Sequence, residues 1–501
     1  MKSMEKGRQS VSLVKNSIYK GLLNIFNLIV PIVTIPYIYR VLSPEAMGNF
    51  EYANTLFCYF NLCGALGIYT YGIREISRIR DDSEKVNEIY SSLFSIGIFS
   101  NLFVCGIFVA LAFGVFHDTP LFRLMLVFSL SIIANIFYTE WINEAFEDFR
   151  FITIKTAIIR LLYVAAIFLV IKTPDDLWKY AALIVVSNFL NYICSFIYSK
   201  RYTHFKLLSI RFSRYDLQKY LPALFFILIL KNSNMFYTVL DRIMLGSFEG
   251  SQSVAYYSVG QRIMEMIRAL LITITYVSLP RLSYYLSNDV SLYRDNLQKL
   301  VRVGFLLSLP LSVGLCLLGK DIVTLFAGEQ YLAAVYPLSV FAVRIVTLLI
   351  ENITATQILF LHNREKIVVI INIVWGIGNL VCNYFLFRWG VLSPMTAILS
   401  TLCMEFGVLV TEFYYIKRYL HIQVLIFCKQ TLRYFFFALL FVPVTYGIKH
   451  YSTNEWLSFA LSIISCIMLY SLCLHLSKDE IFQTIVQKVK NIVVSPFMLR
   501  S

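Results

Sequence analysis

Lys20 and Lys231 stand inside stretches that are otherwise apolar, each with an asparagine about one helical turn further on. In the first stretch Asn16, Lys20, Asn24, Asn27 and Pro31 recur at steps of four, four, three and four; in the second, Lys231, Asn234, Thr238 and Asp241 step by three, four and three. Such steps put each set on one face of a helix. Four more stretches repeat the pattern: Glu51, Asn54, Cys58 and Asn61; Gln261, Glu265 and Arg268; Arg344, Thr347, Glu351 and Thr354; Asn372, Gly376, Asn379 and Asn383. Lysine and arginine in a low-dielectric setting attract anions. A carboxylate there can take up an ion or a proton. Lys20, Asn24, Asn27, Lys231, Asn234, Arg268 and Arg344 are therefore the candidate ligand-binding side chains, and Glu265, Glu351 and Asp241 the candidate ion-coupling ones.

Each has a plainer reading. Lys20 lies near one end of its stretch and can snorkel to the headgroups, which is harder for the deeper Lys231. Arg262, Glu265 and Arg268 can form a structural ion-pair cluster. Arg344 and Glu351 can pair with neighbouring helices, and asparagine stripes often join helices without touching a ligand. Arg242 reads as an interface anchor at the end of its stretch.

The elements that must position these groups follow from composition. Hydrophobic residues make up 58% of the 501 and charged residues 15%, with a mean hydropathy of +0.68. Soluble domains carry about a quarter charged residues. A bilayer core needs roughly 20 apolar residues per helix, and about fourteen such stretches occur. Short alternating segments of the kind a β-barrel needs are absent. The start, MKSMEKGRQSVSLVKNS, does not read as a cleavable leader, so the first span is expected to stay in the protein.

The net charge of +14 does not imply nucleic acid, because the basic residues are divided among short loops. With the N-terminus inside, inside loops and tails hold about thirty Lys and Arg and outside loops about eight, which favours an even span count with both termini cytoplasmic. The ten cysteines are scattered without a CxxC pair and read as small apolar packing residues. Neither a GxxxxGK[ST] loop nor HExxH or GxSxG stands out. The longest hydrophilic stretch, 199–219, is too short for a catalytic domain. The chain is not expected to be an enzyme.

The lysine stripes also suggest two halves. RVLSPEAMGNFEYANTLF (40–57) and DRIMLGSFEGSQSVAYYSVGQRI (241–263) each leave a striped helix, turn through small residues and a glutamate, and enter an aromatic helix start. Transporters are commonly built from such repeats, with the site at the interface between them. The expected architecture is an all-α integral membrane protein of about fourteen transmembrane helices. Two pseudo-symmetric six-helix lobes would surround a central cationic cavity, and two extra helices would follow. The expected divisions are an N-terminal lobe 1–198, a cytoplasmic basic linker 199–219, a C-terminal lobe 220–416, extra helices 417–476 and a cytoplasmic tail 477–501.

NSIYKGLLNIFNLIVPIVTIPYIYRVLSPEAMGNFEYA near the start, GIREISRIRDD after the second span and VLDRIMLGSFEGSQSVAYYSVGQRI after the seventh resemble the Wzx-type polysaccharide flippases of the multidrug/oligosaccharidyl-lipid/polysaccharide exporter superfamily. That resemblance implies movement of an undecaprenyl-pyrophosphate-linked oligosaccharide repeat unit from the inner to the outer leaflet of the bacterial cytoplasmic membrane. The product would feed O-antigen or capsule assembly. It also implies alternating access driven by an H+ or Na+ gradient without a cofactor, and head-group contacts by lumenal cations, here Lys20, Lys231, Arg268 and Arg344. Partners would be the lipid-linked oligosaccharide, the bilayer, and the polymerase and chain-length regulator of the same pathway, with no nucleic acid. Two other readings stand beside it. An ion-coupled multidrug antiporter of the same superfamily would carry an acidic site. A membrane polysaccharide polymerase or ligase would need a large external loop.

Overall fold

Two Ser-Pro pairs show how the sequence starts its helices. Ser43 accepts a hydrogen bond from the Ala46 amide at 3.2 Å with Pro44 in the first helical position, and Ser393 caps Thr396 in the same way ahead of Pro394. Proline is favoured there because its missing N–H would have had no intrahelical partner. Asp82, Asp289 and Asn454 cap other helices through their side-chain oxygens.

The computed structural model describes residues 2–203, 214–232, 235, 239–423 and 428–488. Within the helices, the side chains of residues 2–18, 24, 25, 28, 214–217 and 231 fall outside the described set. Asn24 and Lys231 are thus placed by backbone alone, and Asn234 lies outside the described residues. Every regular element among the described residues is helical.

Twelve helices among the described residues are long and apolar enough to cross a membrane, and two shorter apolar helices occupy Ile29–Val41 and Gln218–Leu230. The two shorter ones stand where the first and seventh spans were expected. The chain divides into two units, Met1–Ser258 and Val259–Ser501.

The first unit contains α1 (Lys2–Val41), α2 (Pro44–Ala65), α3 (Ile68–Ile79), α4 (Ser83–Val115), α5 (Leu121–Ala134), α6 (Glu140–Ala145), α7 (Phe149–Val170), α8 (Leu177–Ser199), α9 (Arg214–Asn232), α10 (Leu240–Phe248) and the start of α11 (Ser251–Asn288). In α7 the buried set Lys155, Thr156, Ile159 and Ile167 opposes exposed Leu161, Leu162 and Leu169. That split gives one face to the protein and one to lipid. Lipid is as apolar as leucine, so close packing rather than water exclusion holds such helices together. Gly72 shows the closeness: a Cβ there would sit 2.3 Å from the Trp141 ring. Trp141 in turn packs on Tyr90 with centroids 5.6 Å apart.

Two of the spans in this unit are broken. Between α2 and α3 the chain passes through Leu66 and Gly67, both at positive φ (48° and 73°), a region only glycine enters without strain. Between α5 and α6 it makes a 3₁₀ turn at Asn135–Phe137 and leaves helical geometry at Tyr138. Backbone groups freed inside a membrane need partners. Ser100 Oγ and Asn101 Nδ2 supply them by donating to the Gly64 carbonyl at 2.7 and 3.1 Å, and Asn135 Nδ2 donates to Asn101 Oδ1 at 3.1 Å.

The second unit holds the rest of α11, then α12 (Val290–Leu317), α13 (Gly319–Ala327), α14 (Val335–Asn352), α15 (Glu365–Arg388), α16 (Pro394–Tyr415), α17 (Lys429–Leu439), α18 (Phe441–Tyr451) and α19 (Glu455–Leu476). Helix α14 runs on as a π-helical segment, Ile353–Phe360. Gln357 in that segment accepts from Tyr293 through its carbonyl and donates its amide to the Thr275 carbonyl, both at 2.8 Å. Helix α14 packs against α12 and α16, and α15 against α16. The last helices are tied back by Tyr470, which donates to the Leu306 carbonyl at 2.9 Å, and by Arg433, which pairs with Asp479 at 2.9 Å.

Candidate functional site

Polar and charged side chains in the first unit gather around α6. This six-residue helix restarts the chain after the second break and carries Glu140 and Glu144 one turn apart, on one face. Lys20 of α1 donates to Glu144 Oε1 at 2.9 Å and lies 5.2 Å from the centre of the Phe149 ring. Its side chain stays 55% exposed, against 17% for Glu144. The other Glu144 oxygen accepts from the Tyr69 hydroxyl. Tyr69 stacks on Tyr138 with centroids 5.4 Å apart, and Tyr138 leans on Tyr192 at 4.7 Å. Glu140 pairs with Lys155 of α7. Lys155 is buried and also donates to Ser195 Oγ at 2.5 Å, and Ser195 donates to Glu140 at 3.2 Å. Two carboxylates on one short helix thus hold two lysines from two different spans, one accessible and one sealed.

The two breaks border a cavity of about 190 Å³ among α2, α3, α4, α6 and α8. Its walls include Asn61, Tyr69, Asn135, Tyr138, Trp141 and Tyr192.

Glu51, on the second polar stripe, is buried and accepts from Arg242 at 3.0 Å. Arg242 was expected to anchor at the membrane interface. Instead it is 6% exposed, because α10 packs on α2 and presents it to that carboxylate. Its neighbour Asp241 is fully buried and accepts from the Tyr257 hydroxyl at 2.6 Å. Asn27 is exposed, about two turns beyond Lys20 on α1.

In the second unit the stripe on α14 faces two glutamates of α16, seven residues apart. Arg344 donates through Nε to Glu405 at 2.9 Å, and Thr347 donates to the other Glu405 oxygen at 3.0 Å. About two turns further along, Thr354 donates to Glu412 at 2.5 Å. Glu412 is fully buried and its second oxygen has no partner; Glu351, itself buried, adds a like charge close enough to act on it. Glu265 accepts from Gln261 at 2.9 Å, and the Arg268 Nε is buried without a hydrogen bond. The asparagine stripe of α15 meets α16 in a sealed seam where Asn379, Asn383, Ser400 and Thr401 bond one another. A separate apolar cavity of about 530 Å³ lies among α12, α18 and α19, with Leu306, Leu311, Ile463 and Ile467 on its walls.

The structure thus brings Lys20 to Glu144 and Arg344 to Glu405, neither carboxylate being among the sequence candidates. Glu140 and Glu144 sit in the stretch TEWINEAFED, at the end of an apolar run, and belong to none of the polar stripes. Lys155 looks like a lone charge at the start of the next span. The seven-residue spacing of Glu405 and Glu412 is the signal that could have found that pair.

Residues 13–286 match the family described as "Polysaccharide biosynthesis protein". The chain is 23% identical over 411 residues to a protein of Escherichia coli (strain K12) named "Putative O-antigen transporter", a match covering 80% of this chain and 94% of that one. A protein of the same name from Shigella dysenteriae is 24% identical over 400 residues, covering 77% and 96%. Among solved structures, the lipid II flippase MurJ in an inward closed conformation superposes with a TM-score of 0.73 at 17% identity, covering 93% of this chain and all of that one. An outward-facing MATE-family multidrug transporter gives 0.51 at 12% identity, over 81% and 94%. These two likenesses concern the fold.

Proposed function

Because the chain belongs to the polysaccharide biosynthesis protein family, we propose that it is a flippase for undecaprenyl-pyrophosphate-linked oligosaccharide repeat units. It carries them by alternating access from the inner to the outer leaflet of the bacterial cytoplasmic membrane, both termini being cytoplasmic. The lipid leaves for O-antigen or capsule assembly, where a polymerase and a chain-length regulator act on it.

The observation that carries this reading is Lys20, a half-exposed ammonium on α1 ahead of that helix's apolar stretch Ile29–Val41, held 2.9 Å from a carboxylate that is itself fixed by a tyrosine. A glycan and a diphosphate cannot cross hydrocarbon unaided, since each unpaired polar group costs several kcal/mol. An ammonium serves phosphate as a point charge, and Glu144 keeps it aimed while no anion is present. Arg268, with an unsatisfied Nε, is the second proposed contact, beside Lys231 and the asparagines Asn24, Asn27 and Asn234. Arg344 acts only if its pair with Glu405 opens. The isoprenoid tail needs apolar walls, which the cavity among α12, α18 and α19 offers.

An ion gradient, H+ or Na+, drives the cycle without a cofactor. Glu265, Glu351 and Asp241 are the proposed coupling carboxylates, and Glu412 joins them as a buried carboxyl with an open oxygen, a group that can take up a proton. The transporter names of the relatives support carriage over catalysis.

Removing the gene from its host tests this. Lipid-linked oligosaccharide should accumulate on the cytoplasmic leaflet while surface polysaccharide disappears, and wild-type protein should reverse both. Unchanged surface polysaccharide would refute the reading.

A further inference from the structure

The cavity at the two helix breaks has a chemistry of its own. Repair of the broken backbone accounts for Ser100, Asn101 and Asn135, which satisfy the Gly64 carbonyl and one another. It does not account for Asn61, whose Oδ1 is buried on the cavity wall and accepts nothing. Nor does it account for the aromatic walls. Tyr69 and Tyr138 stack within 6° of parallel, Tyr192 leans on Tyr138, and Trp141 is clamped between Tyr90 and Gly72. Pre-set rings beside amide groups form a surface for a ligand with flat C–H faces and a hydroxylated edge. Broken membrane helices are also where transporters commonly place such ligands.

Size narrows the class. A cavity of about 150 Å³ admits benzene, so the roughly 190 Å³ here has room for one six-membered ring with hydroxyl substituents. Resting on the flippase reading above, we propose that this cavity is a subsite for one pyranose ring of the glycan. The ring lies against the tyrosine wall and donates a hydroxyl to Asn61. Tyr69 ties the subsite to the anion end of the site, because its hydroxyl is fixed by the same Glu144 that holds Lys20.

The test compares two lipids on purified protein in proteoliposomes: undecaprenyl pyrophosphate bearing the host's own oligosaccharide, and bare undecaprenyl pyrophosphate. Ala65→Leu fills the cavity from α2, and Asn61→Leu removes the open acceptor. Each should shift the ratio of half-saturating concentrations about tenfold toward the bare lipid, the scale of one lost ring contact and hydrogen bond. A hydrated cavity without a ligand predicts an unmoved ratio. That result, in whichever variant keeps the wild-type thermal transition, overturns the subsite and leaves the flippase reading standing. Failure of wild-type protein to move either lipid overturns both.

Discussion

Arg344 and Glu405 form a sealed ion pair between α14 and α16: both side chains are almost wholly buried, and Thr347 fixes the second carboxylate oxygen. Breaking such a pair from one side leaves an uncompensated charge and costs about 3–5 kcal/mol, whereas replacing both partners with apolar groups of similar volume is often neutral. Arg344→Met and Glu405→Leu should each lower the thermal transition in detergent strongly, and the double variant should recover most of it. Equal stability of the three and the wild type would show that the pair holds nothing together.

Lys20 and Glu144 should behave differently. With the lysine half-exposed, the pair contributes at most about 1 kcal/mol. Lys20→Ala should therefore leave thermal stability nearly unchanged while abolishing most transport, and Lys20→Arg should retain more activity because it keeps the charge. A purely structural Lys20 would instead move stability and activity together.

Lys155 marks the sealed half of the same cluster. Lys155→Met should destabilise by at most about 3–5 kcal/mol, because Glu140, partly buried, would lose its cation. Glu140→Gln in that background should restore part of the loss, since the amide needs no counter-charge. Thermal transitions of the two variants in one detergent check this, and no rescue would contradict it.

The start of α4 supplies a pH dependence. The side chain and the backbone amide of Lys85 hold the Asp82 carboxyl below the usual carboxylate range. A carboxyl lowered in the folded state adds stability above its unfolded value of about 3.9. That stability fades as pH falls through the folded value. Amide exchange in the first turn of α4, corrected for intrinsic rates, should stay level above about pH 5 and rise as the pH falls below about 3.9. Asp82→Asn keeps a cap but should remove the dependence. A dependence that survives Asp82→Asn would assign it to another group.

These contrasts show what the sequence made legible. Apolar run lengths located the helical spans because a bilayer sets their length, and the three-and-four spacing from Arg344 to Thr354 identified a face that does meet carboxylates. Partners were hidden, because pairing across helices leaves no trace in spacing along one of them. Glu144 was invisible for a second reason: it lies on a helix of six residues after a break, too short for periodicity to register. Arg242 was misread since its distance from the span end says nothing of the neighbour, α2, that covers it.

The central claim is that the braced Lys20 ammonium engages a diphosphate. The most direct measurement is the initial rate at which undecaprenyl pyrophosphate-linked oligosaccharide, labelled on its glycan, crosses the bilayer of proteoliposomes holding wild-type, Lys20→Ala or Lys20→Arg protein. The account predicts fast movement with wild type, loss of at least about tenfold with alanine, and an intermediate rate with arginine. Movement by Lys20→Ala at the wild-type rate would contradict it.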